Sequence, residues 1–139
     1  FIYLSEFFEE HRRDYYDLLR GVSERGEWEN WLSFFLRGID VQAQKTQITS
    51  HKILNLHAEL GLRVKELNSK YAHEFLDALF INPYFSSRTI KRRTGIKNQQ
   101  TLFTLIDKFK NAGIITDMHP LKKRNKIYCF KDLLKAVEG

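Results

Sequence analysis

Apolar residues recur about every 3.6 positions through the first half of the chain, and this spacing predicts helices there. Ser5 stands where it could cap the first helix. The apolar side of that helix consists of Phe8, Tyr15, Leu18, Leu19 and Val22. Gly21 and Gly26 predict a break, and a second helix is expected to begin near Glu27. The apolar stripe of this second helix is predicted to be Trp28, Trp31, Leu32, Phe35 and Ile39.

The same periodicity continues past Gly38 and predicts one long helix over residues 40–67, continuous with the preceding one. No proline interrupts it. Its solvated side is expected to carry Gln42, Gln44, Lys45, Gln47 and His51. Asn68 and Ser69 are predicted to end the helix, and the composition of the chain changes at this point.

The second half predicts shorter elements. Apolar positions four residues apart indicate a helix over residues 71–81, which Asn82-Pro83 would stop. Ser87 is predicted to cap a helix over residues 88–94 that ends at Gly95. Asn98 is predicted to cap a longer helix that ends at Gly113. The buried side of this longer helix is expected to consist of Leu102, Leu105, Ile106 and Phe109.

A β-hairpin and a last helix follow. Residues 114–116 are a β-branched run, residues 121–125 form a basic turn, and residues 126–130 alternate like a returning strand. Residues 131–137 predict a short helix. Three helices and a hairpin in this order are typical of a winged helix-turn-helix. The sequence thus predicts a mainly α protein, with a helical segment over residues 1–69 and a winged helix-turn-helix domain with a small β-hairpin over residues 70–139.

Charge is distributed unevenly between these halves. The 139-residue chain has a net charge of +6, but residues 1–69 hold nine Lys/Arg against eleven Asp/Glu. Residues 70–139 hold fourteen Lys/Arg against six Asp/Glu, a net charge of +8. Such asymmetry indicates an anionic partner for the second half, and duplex DNA is the first candidate.

A winged helix places its third helix in the major groove and its hairpin against a neighbouring backbone. Asn and Gln suit adenine edges, Thr suits the thymine methyl group, and Lys and Arg suit phosphates. The predicted DNA contacts are therefore Lys91, Arg92, Arg93, Lys97, Asn98, Gln99, Gln100, Thr101, Thr104, Lys122, Lys123, Arg124 and Lys126. The alternative is that these basic residues only solvate the surface and that the domain docks on a protein.

The sequence offers no candidate catalytic, metal or cofactor site. None of the five histidines is paired at the i, i+4 spacing that suits a metal. The segment Gly21–Glu27 has the glycine spacing of a phosphate loop but lacks its Lys and Ser/Thr, so an inter-helix loop is expected. The lone Cys129 is predicted to be a packed residue, and it favours a reducing, cytoplasmic location. No apolar run approaches the length of a membrane span.

Two stretches resemble one family. Residues 3–9 (Tyr-Leu-Ser-Glu-Phe-Phe-Glu), followed by Arg12 or Arg13, Tyr15-Tyr16 and Leu19, resemble the segment just after the active-site helices of Fic-domain proteins. Residues 26–38, with two tryptophans before Phe-Phe-Leu, are similar to the family's next stretch. The resemblance covers about residues 2–67 and is most specific over the first 43. A winged helix often follows in that family.

Family members with the full motif transfer AMP from ATP to a protein hydroxyl, using His-Pro-Phe and a Gly-Asn-Gly-Arg loop. Here the only His-Pro is His119-Pro120, followed by Leu121, and no Gly-Asn-Gly occurs. The resemblance implies the C-terminal part of a longer Fic protein, beginning just after its catalytic core. ATP would bind only that missing core, and no catalytic residue carries over to this chain.

Two functions remain open at this stage. One is a DNA-binding regulatory module, to which the charge of residues 70–139 points. The other is a protein-interaction module, because the apolar stripe of residues 28–67 needs a covering surface. The upstream catalytic core or a second copy of the chain could supply that surface, so a homodimer through the helical half is a further expectation. Residual catalysis is disfavoured, since no catalytic motif is present.

Overall fold

The computed structural model describes residues 3–138, and over these residues the protein is mainly α-helical with a small antiparallel sheet. The predicted fold class, mainly α with a small β-hairpin, is confirmed. Phe1, Ile2 and Gly139, at the outer ends of the two predicted domains, lie outside the described residues.

Seven α-helices and three strands make up the described part of the chain. The helices are α1 (Leu4–Glu10), α2 (Arg12–Arg25), α3 (Trp28–Val64), α4 (Ala72–Ile81), α5 (Ser87–Thr94), α6 (Gln99–Asn111) and α7 (Lys131–Glu138). A single turn of 3-10 helix, Lys65–Leu67, extends α3. The strands are β1 (Tyr84–Ser86), β2 (Thr116–Asp117) and β3 (Ile127–Cys129).

The chain folds into two compact units, Phe1–His51 and Lys52–Gly139, called here the first and second units. The second unit starts earlier than residue 70, the predicted domain start. The reason is that Leu60 and Val64, near the end of α3, are fully buried in the core of the second unit.

The beginning of the first unit differs from the prediction. The helix α1 starts at Leu4, with Tyr3 in the cap position and no side-chain cap hydrogen bond, so Ser5 is not a cap. The chain then breaks at His11, whose φ of −116° and ψ of 37° leave the helical region. The His11 amide donates to the Phe7 carbonyl at 3.1 Å, and its ring Nδ1 lies 2.9 Å from the same oxygen. His11 thereby provides partners for the Phe7 carbonyl at the C-terminal end of α1.

An aromatic cluster holds the first unit together. The ring centroid of Phe7 lies 5.1 Å from that of Phe34, and Phe8 stacks on Phe34 at 5.9 Å. Gly38 makes this possible, because a Cβ atom there would lie only 2.6 Å from Cδ1 of Phe7. The Arg37 guanidinium lies 5.8 Å from the Phe34 ring centroid and covers the cluster from one side.

The predicted stripe of α3 is only partly correct, because Trp31, Phe35 and Ile39 are half-buried, whereas Trp28 and Leu32 are exposed. Phe34 is only 4% exposed, whereas Trp28 is 59% and Leu32 is 50% exposed. Because glycine has no side chain, Phe7 can pack closely against α3 at Gly38. The side of α3 that faces α1 therefore includes Gly38 and Phe34. Trp28, Leu32 and Leu36, spaced four residues apart, are left as an exposed apolar row.

The long helix itself is confirmed, because α3 runs without interruption from Trp28 to Val64. The 3-10 turn that follows α3 ends where the sequence predicted, at Asn68, which takes a left-handed conformation with φ of 50°. The predicted break between Gly21 and Gly26 occurs at its later end, since α2 passes through Gly21 and ends only at Gly26. Gly26 has φ of 64°, a conformation that glycine adopts without strain.

The core of the second unit lies between α4 and α6. The rings of Phe75 in α4 and Phe109 in α6 pack at 4.5 Å between centroids. The four apolar residues predicted for α6, Leu102, Leu105, Ile106 and Phe109, are all buried. The apolar period of α6 therefore predicted its packed side correctly.

The three strands form a sheet in the order β1-β3-β2, with both pairs antiparallel. The hairpin of β2 and β3 was predicted, but β2 begins at Thr116 because Ile114 and Ile115 turn into the core. Strand β1 was not predicted, because three residues directly after a proline carry too short a pattern. Its Phe85 stacks on Tyr128 of β3 with centroids 5.5 Å apart.

The Gly38–Phe7 contact predicts a measurable loss of stability. We expect Gly38→Ala to lower the free energy of unfolding of the first unit by about 1–3 kcal/mol, because the new methyl group displaces the buried Phe7 ring. This loss outweighs the gain of up to about 1 kcal/mol in helix propensity. Denaturant unfolding followed by tryptophan fluorescence reports on this unit, since Trp28 and Trp31 are the only tryptophans.

Gly61→Ala in the same helix is the matched control. A Cβ atom at Gly61 meets nothing within 4 Å, so helix propensity acts alone there. We expect equal or greater stability, measured by circular dichroism. A Gly38→Ala chain as stable as the unaltered one would show that Phe7 does not pack against Gly38.

Candidate nucleic-acid interface

The two helices α5 and α6 are joined by a tight turn, Gly95-Ile96-Lys97-Asn98. Helix α5 is capped by Ser86, whose Oγ accepts a hydrogen bond from the Thr89 amide at 3.2 Å. The predicted cap, Ser87, is wrong by one position, since Ser87 is the first helical residue. Gly95 ends α5 with φ of 69°, as predicted, and Ile96 anchors the turn in the core.

Asn98 caps α6, as the sequence predicted. Its Oδ1 accepts a hydrogen bond from the Thr101 amide at 3.0 Å. This oxygen is therefore engaged within the chain, and the structure gives Asn98 a local role in addition to the predicted base contact. The cap and the buried side of α6 together hold Gln99 and Gln100 on the exposed first turn.

The basic residues of α5 and the turn have different surroundings. The Lys91 Nζ donates to Gln99 Oε1 at 3.3 Å, so a predicted phosphate contact and a predicted base contact lie side by side. Arg93 is half-buried and donates to the main-chain carbonyl of Ala78 at 3.4 Å. Arg92 and Lys97 are exposed. Of these four cations, Arg93 is the least accessible.

The side of α6 that carries Gln100, Thr101 and Thr104 lines a groove of about 210 Å³. The opposite wall of the groove is formed by Asn68 and Ser69, which sequence reasoning had treated only as a break between helices. Thr101 is half-buried and Thr104 is exposed. The predicted thymine-contacting residues, Thr101 and Thr104, thus lie along this groove.

The loop between β2 and β3 presents three cations, Lys122, Lys123 and Arg124, all exposed. Leu121, directly before them, is 97% exposed. The loop is closed at its base by a hydrogen bond from the Met118 amide to the Ile127 carbonyl at 2.9 Å. The fourth predicted cation of the loop, Lys126, differs from these three because it lies 3.9 Å from a carboxylate oxygen of Asp117.

Two exposed residues of α5 and α6 were not among the predicted contacts. Arg88 lies in the first turn of α5, and Phe103 is exposed one turn after Gln99. The sequence could have indicated Phe103, because it follows Gln99 by four residues and so lies on the same side of α6. Asp107, also exposed, extends this side by one more turn and adds a negative charge.

The second unit as a whole is strongly basic. It contains seventeen Lys/Arg against eight Asp/Glu, a net charge of +9, whereas the first unit has a net charge of −3. Because the structural boundary at residue 51 replaces the one at residue 69, the contrast between the two parts is slightly larger than the sequence division indicated.

Three further features of the described residues concern metal ligands, membrane spans and the single cysteine. Residues 3–138 contain no group of three or more His, Cys, Asp or Glu side chains placed to hold a metal ion. Within the same residues, no helix combines the length and the apolar character needed to cross a membrane. Cys129 is buried, as predicted, and burial raises the pKa of its thiol. No model of a known protein family matches the chain.

The cap of α6 predicts a specific pattern of stability. We expect Asn98→Ala to lower the free energy of unfolding of the second unit by about 1 kcal/mol, because the Thr101 amide loses its acceptor. Asn98→Ser keeps a capping oxygen and should recover most of that loss. Thermal unfolding of the full chain followed by circular dichroism measures both. Equal stability of the alanine and serine variants would contradict the capping role.

Proposed function

We propose that the second unit is a winged helix-turn-helix that binds duplex DNA, with α6 as the recognition helix. The observation that carries this proposal is the exposed first turn of α6, where Gln99 and Gln100 face solvent and Lys91 lies against Gln99. Gln can bond an adenine edge with both its amide oxygen and its amide nitrogen, and a neighbouring lysine can bind the flanking phosphate.

The arrangement of the remaining elements supports this proposal. Helices α4, α5 and α6 are followed by the β2–β3 hairpin, and β1 completes the sheet in the order β1-β3-β2. In winged helices, the hairpin loop contacts the backbone beside the groove that holds the recognition helix. Lys122, Lys123 and Arg124 are placed on that loop, where they would meet phosphates.

We further propose that this module is the regulatory, C-terminal portion of a cytoplasmic Fic-family protein. The support is the resemblance of residues 3–19 and 26–38 to the segment after the Fic active-site helices. In this proposal the AMP-transferring chemistry and its ATP belong to an upstream catalytic core. The present chain contributes DNA binding, and the AMP-transfer motif is absent from its sequence.

Salt dependence of DNA binding tests the proposal. Each phosphate that a cation neutralises adds about −0.9 to the slope of log affinity against log salt on B-DNA. We expect the combined variant Lys122→Ala, Lys123→Ala and Arg124→Ala to flatten that slope by up to about 2.7, with sequence preference unchanged. Fluorescence anisotropy with a pool of duplexes at several salt concentrations measures both quantities.

The matched variant changes the other side of the interface. Gln99→Ala with Gln100→Ala should change which duplexes are preferred while leaving the salt slope nearly intact, because no charge is removed. If the folded chain binds no duplex at low salt, the DNA proposal is wrong and the protein-interaction function takes its place.

A second function, association through the first unit, is favoured by the exposed apolar row Trp28, Leu32 and Leu36. Burying such a row is favourable, because each Å² of apolar surface removed from water contributes about 25 cal/mol of free energy. A two-fold contact between copies would cover it, because one self-complementary surface is sufficient. The first unit would then act as a dimerisation element beside a DNA-binding unit.

Light scattering across a concentration series tests this association. We expect a mass that rises toward two chains, and we expect Leu32→Glu to abolish the rise because it places a charge in the row. Leu54→Glu, an equally exposed leucine of α3 outside the row, is the control and should leave the mass unchanged. A constant single-chain mass at high concentration would contradict the dimer.

A further inference from the structure

Two lysines converge on one carboxylate at the root of the β2–β3 hairpin. Asp117, the last residue of β2, is only 13% exposed at its side chain. Its Oδ2 lies 2.7 Å from Nζ of Lys110, in the last turn of α6, and 3.9 Å from Nζ of Lys126, just before β3. The carboxylate therefore links the recognition helix to the strand that returns from the basic loop.

The two lysines are held by different forces. The contact with Lys110 has the length of a charge-assisted hydrogen bond, and this bond raises the pKa of the Lys110 ammonium group. The contact with Lys126 is too long for a hydrogen bond, so charge attraction alone acts there. The position of Lys126 therefore depends on the negative charge of Asp117 alone, whereas Lys110 is held by a hydrogen bond as well as by that charge.

Asp117 is the only acidic residue between Lys108 and Lys131. Three of the four cations in the loop, Lys122, Lys123 and Arg124, are exposed, but the side chain of Lys126 is only 31% exposed. A phosphate that approaches Lys126 must compete with a carboxylate that is already desolvated and in place. Low exposure strengthens this competition, because the local dielectric is lower than in water.

We propose that Asp117 withholds Lys126 from phosphates, so that the loop binds the DNA backbone through three cations rather than four. This inference rests on the proposed DNA-binding function and makes Asp117 a positioning residue of the interface. Lys126, one of the predicted phosphate contacts, would then contribute less to binding than Lys122, Lys123 and Arg124.

Asp117→Asn provides the central test, because the amide keeps an oxygen for Lys110 but loses the charge that holds Lys126. We expect the salt slope to become steeper by about 0.9, the contribution of one additional phosphate. Glu74→Gln is the control for net charge, since Glu74 is exposed on α4 and has no ion pair among the described residues. It removes the same charge without releasing a lysine, and should leave the slope unchanged.

Lysine variants identify the cation concerned. In the otherwise unaltered chain, Lys126→Met should change the slope much less than Lys122→Met. In the Asp117→Asn background, Lys126→Met should cancel the added slope. The inference is overturned if Asp117→Asn gives the same slope as Glu74→Gln, or if Lys126→Met and Lys122→Met already act equally in the unaltered chain.

A measurement without DNA separates this inference from the proposed function. Acetylation of lysines by an amine-reactive ester, read by mass spectrometry, should be slower at Lys126 than at Lys122, and Asp117→Asn should remove most of the difference. If no variant binds DNA, the proposed function fails and the phosphate part of this inference fails with it. If the labelling rate of Lys126 is unchanged in Asp117→Asn, Asp117 does not hold Lys126, and the inference is overturned.

Discussion

The contact between Phe75 and Phe109 fixes which side of α6 packs in the core and which side faces solvent. With ring centroids 4.5 Å apart, these residues join α4 to α6 at the centre of the second unit. Leu102, Leu105 and Ile106 follow the same side of α6 into the core. Gln99 must then point away from the core, and the turn from α5 brings Lys91 to it. The candidate interface is thus a consequence of core packing, not of an independent arrangement of polar residues.

Fewer cations of the second unit are free for an anionic partner than its net charge indicates. Several of its cations are already engaged inside the unit, where they neutralise or bond groups of the protein. Arg63, Arg93 and Lys108 donate to main-chain carbonyls of Ala112, Ala78 and Leu67, respectively. Lys110 and Lys126 share Asp117. The loop cations Lys122, Lys123 and Arg124, together with Arg92 and Lys97, are exposed and belong to the elements that the DNA proposal places at the interface.

Local sequence patterns predicted most of the helices, whereas they could not predict contacts between residues that are far apart in the chain. The period of α6 and the Asn98 cap depend on neighbouring residues, and both were predicted correctly. Gln42 was expected on the solvated side of α3 but is 2% exposed. The start of the chain folds over that region, as the hydrogen bonds from Lys45 to Glu6 and Glu10 show. Asp117 was overlooked for the same reason, since its partners come from separate elements.

The burial of Cys129 in the central strand of the sheet limits the access of oxidants to its thiol. The residue is paired with Tyr84 of β1 on one side and Thr116 of β2 on the other. Burial raises the pKa of the thiol, and this keeps the population of the reactive thiolate low. A disulfide between two copies would require the Cys129 side chain to leave the core in which it is buried. We therefore expect this thiol to react slowly with oxidants while the second unit stays folded.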